Sequence, residues 1–367
     1  MSTFIRDFIE REKINRRNFL LASAMGAGSL MLPGSLRRAV AADGTAMAWS
    51  YRDRASAYWN AIVSGGEAYV ESLGLNKSAM TSLINEGSSE KSLSDIKAFL
   101  AKNNGNCAIA CDPTDSPNAR PVVEATKAAG GYISTIWNKA DDLHPWDFGD
   151  NYVSHMSWSG VQPSKEAAIK LIEAMGGKGA IVHVGGIPAN IPAIERLEGL
   201  KQALAEYPDV QLLDVQSADW DTAKAASLMS SFITRYGDEI TGVHCANDNM
   251  AYGVLEALKA EGMTLPVTGF DGNPEAVKMV IDGELLATVF TNPFWGGGIS
   301  LALAHQAATG AFKPSDEPHD HREFYGPSIV VTKADAEAFK AKYMDANPVY
   351  DWNDRWSLAA GPIVYSK

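Results

Sequence analysis

Three consecutive polar residues, Asn247, Asp248 and Asn249, follow a short apolar run and lead directly into a helical pattern. In parallel α/β sheets, side chains just beyond the carboxyl end of a strand face the opening where ligands bind. We expect Asn247 to face this opening and Asp248 to cap the helix that begins near Asn249. Asp271 likewise follows the run PVTGF, and Asn273 is expected to cap the next helix, which leaves Asp271 free to meet a ligand.

The same pattern recurs at other predicted strand ends, with Asp112 after CAIAC and Trp137 and Asn138 after YISTI. Each residue taken alone is typical of a helix cap or turn. Together, amides and carboxylates can exchange hydrogen bonds with paired hydroxyls, and flat rings can cover the C–H faces of a neutral polyhydroxy ligand. The candidate rings are Tyr58, Trp59, Trp137 and Trp220. Each ring by itself also fits a core or surface position.

Short β-type runs alternate with amphipathic helical stretches from residue 46 onward, and this alternation is typical of parallel sheets covered by helices on both faces. The candidate strands are AMAWSY, AMTSLI, CAIAC, YISTIW, AIVHV, VQLLDV, GVHCA, PVTGF and LATVF. The fold class is therefore α/β. Because 367 residues exceed what one compact core usually supports, we expect two lobes.

The lobe boundaries follow from breaks in this alternation. The segment NYVSHMSWSG, at 151–160, interrupts it and suggests a crossover, and a second return is expected near Asn292. The prediction is an export signal over 1–41, an N-terminal lobe over 46–155 and 293–325, a C-terminal lobe over 156–292, and a hinge return with a C-terminal extension over 326–367.

The first 41 residues have the pattern of an export signal, with a basic start, a short apolar middle and a small-residue end. The apolar part, residues 19–32, is shorter than the ~20 residues needed to cross a bilayer as a helix. NRRNFL, at 15–20, resembles a twin-arginine signal. We expect a periplasmic protein whose signal is cleaved near Ala41, with no membrane insertion of the mature chain. The alternative is an amphipathic helix kept in the mature protein.

The mature chain is acidic. Removing residues 1–41 takes away seven basic and three acidic side chains and changes the formal charge from −12 to −16. Such a surface repels nucleic acid and anionic lipid, and no cluster of lysine and arginine occurs beyond the signal. We therefore expect no nucleic-acid partner.

The three cysteines lie in apolar strand candidates. Cys107 and Cys111 are four residues apart, roughly 13 Å at the rise of a strand, which is too far for a disulfide. Buried free thiols are expected for these two and for Cys245, with a CxxxC metal site as the alternative. His319 and His321, in a charged loop, are expected to be solvated rather than to bind metal. We expect no cofactor.

Six segments, in this order and spacing, resemble the periplasmic sugar-binding proteins of ABC importers, the ribose-binding-like type I family. They are CDPTDSP (111–117), YVSHMSWSG (152–160), ERLEGLKQAL (195–204), SADWDTAKA (217–225), CANDNMAYGVLEALKAEG (245–262) and GFDGNPEAVKMVIDGELLATV (269–289). The resemblance implies two doubly wound α/β lobes joined by a three-strand hinge. They would close on a neutral sugar or polyol and deliver it to a membrane permease.

By position, the resemblance implies ligand contacts for part of the candidate set. These residues are Tyr58, Trp59, Asp112, Trp220, Asn247 and Asp271. Trp137 and Asn138 stand where ribose-type members carry an Asp-Arg pair, Ile194 replaces an arginine of the fifth helix, and Thr291 replaces a common glutamine. A site without these arginines should favour an uncharged pentose, branched sugar or alditol.

Two segments keep alternative interpretations. The insertion DDLHPWDFGDN, at 141–151, either places His144 or Trp146 near the cleft or forms a surface loop. The tail from residue 347, which is rich in aromatic residues, either braces the hinge or mediates dimer contacts.

The competing function classes are an exported sugar-processing enzyme, a sugar-responsive regulator and a sugar sensor for chemotaxis or signalling. The glycines of GGKGAIVHVGG precede a strand and no Lys-Ser/Thr follows them, so they do not form a phosphate-binding loop. No Ser-His-Asp or paired-carboxylate motif stands out. A regulator needs a DNA-binding motif where the export signal lies. We therefore expect a binding protein rather than an enzyme, and a sensor role fits the same sequence.

Overall fold

The computed structural model describes residues 44–346 and 348–365, so the export signal and its cleavage site lie outside the described residues. The strands in chain order are β1 (Ala46–Tyr51), β2 (Met80–Ile84), β3 (Cys107–Cys111), β4 (Tyr132–Ile136), β5 (Tyr152–Ser157), β6 (Gly179–Gly185), β7 (Val210–Ser217), β8 (Gly242–Cys245), β9 (Val267–Thr268), β10 (Ala287–Phe290), β11 (Glu323–Tyr325) and β12 (Ile329–Thr332). The α-helices are α1 (Ala57–Ser72), α2 (Ser89–Lys102), α3 (Ser116–Ala129), α4 (Val161–Ala174), α5 (Ile191–Leu204), α6 (Thr222–Tyr236), α7 (Asp248–Ala260), α8 (Pro274–Asp282), α9 (Pro293–Ala308), α10 (His319–Arg322) and α11 (Ala336–Lys340). A π-helix, Ala341–Asp345, continues α11.

The strands of the described residues form two six-stranded sheets. The first has the order β11-β5-β4-β3-β1-β2, and its neighbouring strands are all parallel. The second has the order β12-β10-β9-β8-β6-β7 and is parallel except for β12, which is antiparallel to β10. The predicted fold class, α/β with two doubly wound parallel-sheet lobes, is confirmed.

Three short connections join the two sheets in the part of the chain up to β12. They lie between β5 and α4, between β10 and α9, and between β11 and β12. Helix α9 belongs to the first lobe, because it packs against α1 and against β3, β4 and β5. The exact lobe boundaries given above stay predictions.

One segment that looked like an interruption of the pattern is strand β5. Its polar residues hide the strand in the sequence, yet Ser154 and His155 are buried and bonded to β4. Ser154 Oγ donates to Ser134 Oγ at 3.1 Å, and His155 Nδ1 lies 2.8 Å from Thr135 Oγ1. Buried polar groups are tolerated when they are paired in this way. The short strands β11 and β12 were also absent from the sequence prediction.

The close crossing of α1 and α9 fixes the helix that carries two candidate rings. A Cβ added at Gly297 would lie 1.8 Å from the backbone oxygen of Ile62, so only glycine permits this approach. Trp49 Nε1 donates to the backbone oxygen of Gly297 at 2.9 Å. Tyr58 and Trp59 in the first turn of α1 are thereby held at the end of β1.

The expected free thiols are confirmed, because none of the three cysteines forms a disulfide and all three are buried. Burial raises the pKa of the Cys107 thiol to about 11 and raises the pKa of Cys111 and Cys245 further above the ordinary range. Within the two described ranges, no group of three or more potential ligands could hold a metal ion. None of the helices in those ranges has the length and apolar content needed to span a bilayer.

We predict that the native protein reacts with a chromogenic thiol reagent at pH 8 far more slowly than a free thiol, because burial keeps these sulfurs protonated and inaccessible. In guanidinium chloride, three thiols per chain should react at once. Rapid reaction of any thiol in the native state would contradict this prediction.

Candidate functional site

The carboxyl ends of both sheets face one cavity of about 660 Å³, including its open mouth. The first lobe contributes the loops after β1, β2, β3 and β4, and the second contributes the loops after β6, β7, β8 and β9. The position agrees with the general placement of ligand sites in parallel α/β sheets.

All eight predicted site residues border this cavity. The first lobe supplies Tyr58, Trp59, Asp112, Trp137 and Asn138, and the second lobe supplies Trp220, Asn247 and Asp271. The structure therefore brings together residues that lie up to 213 positions apart in the chain, from Tyr58 to Asp271. Their role as ligand contacts stays a prediction.

An aromatic wall forms the first-lobe side of the cavity. Trp137 Nε1 donates to the Tyr58 hydroxyl at 2.9 Å, and Tyr58 meets Trp59 edge-on with ring centroids 5.3 Å apart. The Trp158 ring packs against the Trp137 ring, with centroids 4.5 Å apart. Burial, followed by the charge of Asp271, raises the pKa of Tyr58, so its hydroxyl keeps its proton as a donor.

Asp112 and Asn138 form a hydrogen-bonded pair next to this wall. Asn138 Nδ2 donates to Asp112 Oδ1 at 3.0 Å, and Asn138 Oδ1 accepts a bond from the backbone N–H of Ile191 in the other lobe at 3.2 Å. Burial raises the pKa of Asp112 to about 6, although the bond from Asn138 acts in the opposite direction. Asn138 thus links a cavity carboxyl to the opposite lobe.

A buried arginine that the sequence analysis did not single out, Arg196, lies at the centre of the site. Arg196 Nη1 donates to the backbone oxygen of Ala246 at 2.6 Å and lies 3.3 Å from Asp271 Oδ1. Its guanidinium carbon lies 3.7 Å from the ring centroid of Phe270 and 5.3 Å from that of Trp137. Aromatic faces and one carboxylate therefore stabilise this cation away from water.

The helix-capping role within the polar triplet at 247–249 differs from the prediction. Asn247 caps α7, because its Oδ1 accepts from the backbone N–H of Met250 at 2.9 Å, and it also borders the cavity. Asp248 is fully buried and accepts bonds from Thr288 Oγ1 at 2.6 Å and from the backbone N–H of Asn273 at 2.8 Å. The prediction that Asp248 caps α7 is wrong. Asn273 is the N-cap residue of α8 and Pro274 opens the helix, as predicted, although the Asn273 side chain makes no capping bond. Asp248 instead ties the start of α8 to β10.

Asp248 and Asp271 are two buried carboxyls near one guanidinium, and only Asp271 is paired with it. Burial, followed by the charge of Asp271, raises the pKa of Asp248 well above its ordinary value. Burial raises the pKa of Asp271 to about 6, although the neighbouring Arg196 acts in the opposite direction. Burial and the mutual repulsion of the two carboxyls therefore oppose the ionisation of Asp248, whereas Arg196 partly offsets burial at Asp271.

Several direct contacts join the lobes around the cavity. Asn190 Nδ2 donates to the backbone oxygen of Thr114 at 2.7 Å, and its Oδ1 accepts from Trp220 Nε1 at 2.8 Å. At the rim, Arg52 Nη2 donates to the backbone oxygen of Asp219 at 3.3 Å. The two lobes are therefore closed on each other in this structure.

Left-handed backbone conformations concentrate at the same place. The non-glycine residues concerned are Thr114 (φ 72°), Trp137 (φ 62°), Asp219 (φ 55°), Trp220 (φ 68°) and Asp271 (φ 121°). Such conformations cost of order 1–3 kcal/mol each and persist where the surrounding structure fixes them. Here they turn side chains of both lobes toward the cavity.

The insertion at 141–151 forms a surface stack instead of a cavity wall. The Trp146 ring lies between His144, with centroids 4.6 Å apart, and His319, with centroids 3.7 Å apart. His321 bonds to Glu317, with Nδ1 and Oε2 2.8 Å apart. None of these residues borders the cavity.

Arg52, Asn190 and Arg196 border the cavity but were absent from the sequence prediction. Ile194, which stands where ribose-type members carry an arginine, is 52% exposed and does not border the cavity. One sequence signal for Arg196 exists. It occupies the buried face of α5, together with other residues at helical spacing, where an unpaired charge is costly. A charged residue on such a face indicates a partner in the fold.

The arrangement offers donors, acceptors and flat rings rather than a catalytic constellation. Among the described residues that border the cavity, there is neither a histidine nor a cysteine. The carboxyls and amides match the hydroxyl groups of a neutral ligand. Of the two arginines that border the cavity, Arg196 is already paired with Asp271, and Arg52 lies 3.9 Å from Asp53. These features are those of a binding site for a small polar molecule.

A model of the periplasmic binding protein domain matches residues 47–311, which is more than half of the chain. The chain belongs to this family. The match includes the polar and aromatic residues of the cavity described above and both sheets except β11 and β12.

Three similar proteins illustrate the range of the periplasmic binding protein family. The D-allose-binding periplasmic protein of Escherichia coli is 30% identical over 281 residues, which cover 75% of this chain and 88% of that protein. The xylitol-binding protein of Mycolicibacterium smegmatis is 31% identical over 219 residues, which cover 59% of this chain but only 60% of that protein. A solved structure of a twin-arginine translocation pathway signal protein from Burkholderia phytofirmans is 44% identical, with a TM-score of 0.84, and covers 88% of this chain and 99% of that one.

We predict that the Asp112→Asn variant changes the pH dependence of stability. Because the folded state raises the pKa of Asp112 to about 6, this group stabilises the fold at low pH and loses that contribution as pH rises through 6. From pH 4 to pH 7, the variant should therefore gain up to about 3 kcal/mol in free energy of unfolding relative to the wild type. Denaturant unfolding at a series of pH values measures this difference.

The matched control is Asp209→Asn, at an exposed turn residue. Its stability should follow that of the wild type across the same pH range. A constant difference between Asp112→Asn and the wild type at all pH values would show that the Asp112 carboxyl titrates normally.

Proposed function

We propose that this chain is an exported solute-binding protein that captures a neutral monosaccharide or sugar alcohol between its two lobes. It then presents the closed form to the permease of an ABC importer. The observation that carries the proposal is the convergence of eight polar and aromatic residues from both lobes on one cavity. A ligand that touches both walls favours closure by its differential affinity for the closed state.

The recognition chemistry follows from the walls of the cavity. Carboxyl oxygens of Asp112 and Asp271 accept hydrogen bonds from ligand hydroxyls, and Asn247 both donates and accepts. Trp59 and Trp220 cover the C–H faces of the ring or chain. The charge of Arg196 is already balanced within the protein, so an uncharged ligand fits the site better than an anion.

The names of the relatives agree with this ligand class. One relative is named for D-allose and another for xylitol, which are a neutral sugar and a sugar alcohol. We propose a ligand from the same chemical group, either a pentose, a branched sugar or an alditol. In this proposal the ligand is bound and released without chemical change.

The proposed route to this function is export through the twin-arginine pathway, with cleavage near Ala41 and a periplasmic mature chain. A 44% identical protein bears the name of that pathway. The proposed lobes, 46–155 with 293–325 and 156–292, rotate about the three connections between the sheets. Release to a permease or to a receptor uses the same closed form.

A thermal-shift screen over pentoses, branched sugars and alditols tests the proposal. At least one ligand should raise the melting temperature, since a ligand that binds only the folded state stabilises it by mass action. The same ligand should be recovered chemically unchanged after long incubation. If no member of the panel shifts the melting temperature, or if the ligand is hydrolysed or oxidised, the binding-protein assignment fails.

We predict that Asp271→Ala weakens affinity for the ligand found in the screen by at least about tenfold, because a charged hydrogen-bond acceptor is worth about 1.5–3 kcal/mol. Calorimetric titration measures the dissociation constant, and circular dichroism checks that the variant is folded. Asp209→Ala, at an exposed turn, serves as the control and should bind normally. An unchanged dissociation constant for Asp271→Ala would remove this residue from the site.

We also predict that Asn190→Ala weakens the binding of all ligands by a similar factor, roughly three- to tenfold. The reason is that Asn190 bonds the lobes to each other, so its loss lowers the fraction of closed protein whatever the ligand is. Titrations with two different ligands measure the two factors. The control is Gln202→Ala, at an exposed position of α5, the helix that follows Asn190. A change in the ratio of the two affinities would instead identify Asn190 as a direct ligand contact.

A further inference from the structure

The C-terminal residues contact both lobes. After β12, helix α11 and the π-helix pack on the second lobe, where Phe339 and Tyr343 surround Phe290 with ring centroids 4.9 and 5.3 Å away. Residues 350–365 lie on the first lobe instead. The family match ends at residue 311, well before this segment. We call the four residues between Asp345 and Tyr350 the connector, of which residue 347 lies outside the described residues, and residues 350–365 the tail.

Trp352 anchors the tail in the first lobe. Its side chain is buried in a slot beside α9, where a Cβ added at Gly298 would lie 2.2 Å from the indole ring. Tyr69 of α1 meets this indole edge-on, with ring centroids 6.4 Å apart. Gln306 Nε2 donates to the backbone oxygen of Trp352 at 3.1 Å. Because this ring is covered by its own chain, it is not available to a second copy.

The rest of the tail follows the edge of the first sheet. Trp356 Nε1 donates to the backbone oxygen of His321 at 3.0 Å, and the Tyr365 hydroxyl donates to Glu323 Oε2 at 2.8 Å. Between these points the tail backbone pairs with β11. The tail is therefore held at several independent points along its length.

The start of the tail contacts a connection between the lobes. Asn292 Nδ2 donates to the Tyr350 hydroxyl at 3.0 Å. Asn292 lies in the connection from β10 to α9, has a left-handed backbone with φ 49°, and caps α9 by accepting a bond from the backbone N–H of Trp295. Tyr350 thus fixes a residue whose backbone angles are expected to change when the lobes rotate.

We propose that the connector is a fourth covalent link between the lobes, anchored by the tail, and that it limits how far and in which directions the cleft opens. This inference rests on the proposed closure of the lobes about a ligand. The connector has only four residues, and an extended chain spans at most about 3.6 Å per residue. Pro348 also fixes one backbone angle within it. Any opening must keep the ends of this short segment within reach.

The limit on opening favours ligand binding. A protein that samples fewer open arrangements loses less conformational freedom on closure, and a larger fraction is ready to close. The tail thereby preorganises the cleft without touching the ligand.

The test lengthens the connector while leaving the tail in place. A Gly-Ser-Gly-Ser insertion after Pro348 removes the length limit, and flexible insertions at exposed positions cost little stability. The matched control carries the same insertion after Gly310, in an exposed turn within the first lobe. Spin labels on Glu90→Cys and Ala223→Cys, exposed positions in the first turns of α2 and α6, report the distance across the cleft. The three native thiols are buried and stay unlabelled.

Without ligand, the connector variant should show a broader distribution shifted to longer distances, and the Gly310 variant should match the parent protein. Ligand affinity of the connector variant should fall roughly two- to tenfold. Identical distance distributions in the two insertion variants would overturn the proposal. If the parent protein binds no sugar or polyol, the proposed function fails, but the distance comparison still decides the role of the connector.

A pair of point variants tests the anchor at the hinge. Tyr350→Phe removes the hydroxyl that bonds Asn292 in the connection from β10 to α9. Tyr365→Phe removes a hydroxyl of the same tail that bonds Glu323 of β11 instead. Tyr350→Phe should broaden the distance distribution, and Tyr365→Phe should leave it unchanged. Equal effects of the two variants would contradict a specific role of Tyr350 at the hinge.

Discussion

The central constraint in this molecule is the burial of Arg196 between the lobes. A guanidinium removed from water requires compensation, which here comes from Asp271, a backbone oxygen and the faces of Phe270 and Trp137. Removing one partner of such a pair typically costs 3–5 kcal/mol, because the other charge stays buried. Since Trp137 belongs to the first lobe and the other groups to the second, the arginine is fully covered only when the lobes meet.

Amide groups complete the contact between the lobes. Asn138 and Asn190 each use both ends of the side-chain amide, and each bridges from one lobe to the other. Amides suit this role because one planar group both donates and accepts without a net charge. Residues with left-handed backbones lie at the same strand ends. Their conformations are strained, and the surrounding sheets hold them in place.

The tail adds side-chain contacts outside the cleft that also bear on the position of the two lobes. Trp352 fills a slot that exists because residue 298 is glycine, and Tyr350 bonds a residue of one connection between the lobes. Aromatic residues supply much buried area per residue, so a short segment can be anchored by few side chains. The cleft and the tail therefore act on one common motion of the two lobes.

The sequence was sufficient for the fold class, for most strands and for the position of all eight candidate residues at the cavity, because alternation and strand-end polarity are local patterns. It was insufficient where a residue's role depends on a distant partner. β5 was hidden because its Ser154 and His155 are satisfied only by β4. The capping role expected for Asp248 was mistaken because Asp248 bonds to Thr288, 40 positions away.

Arg196 illustrates the difference between what the sequence determines and what only the tertiary structure determines. The sequence by itself determined that carboxyls, amides and indole rings follow parallel strands, since the spacing of polar residues after apolar runs is written in the chain. Only the tertiary structure decided that a buried cation joins them, that asparagines close the lobes and that the tail returns to the first lobe. The physical reason is that burial and pairing belong to groups brought together from distant parts of the chain, and no local pattern records their neighbours.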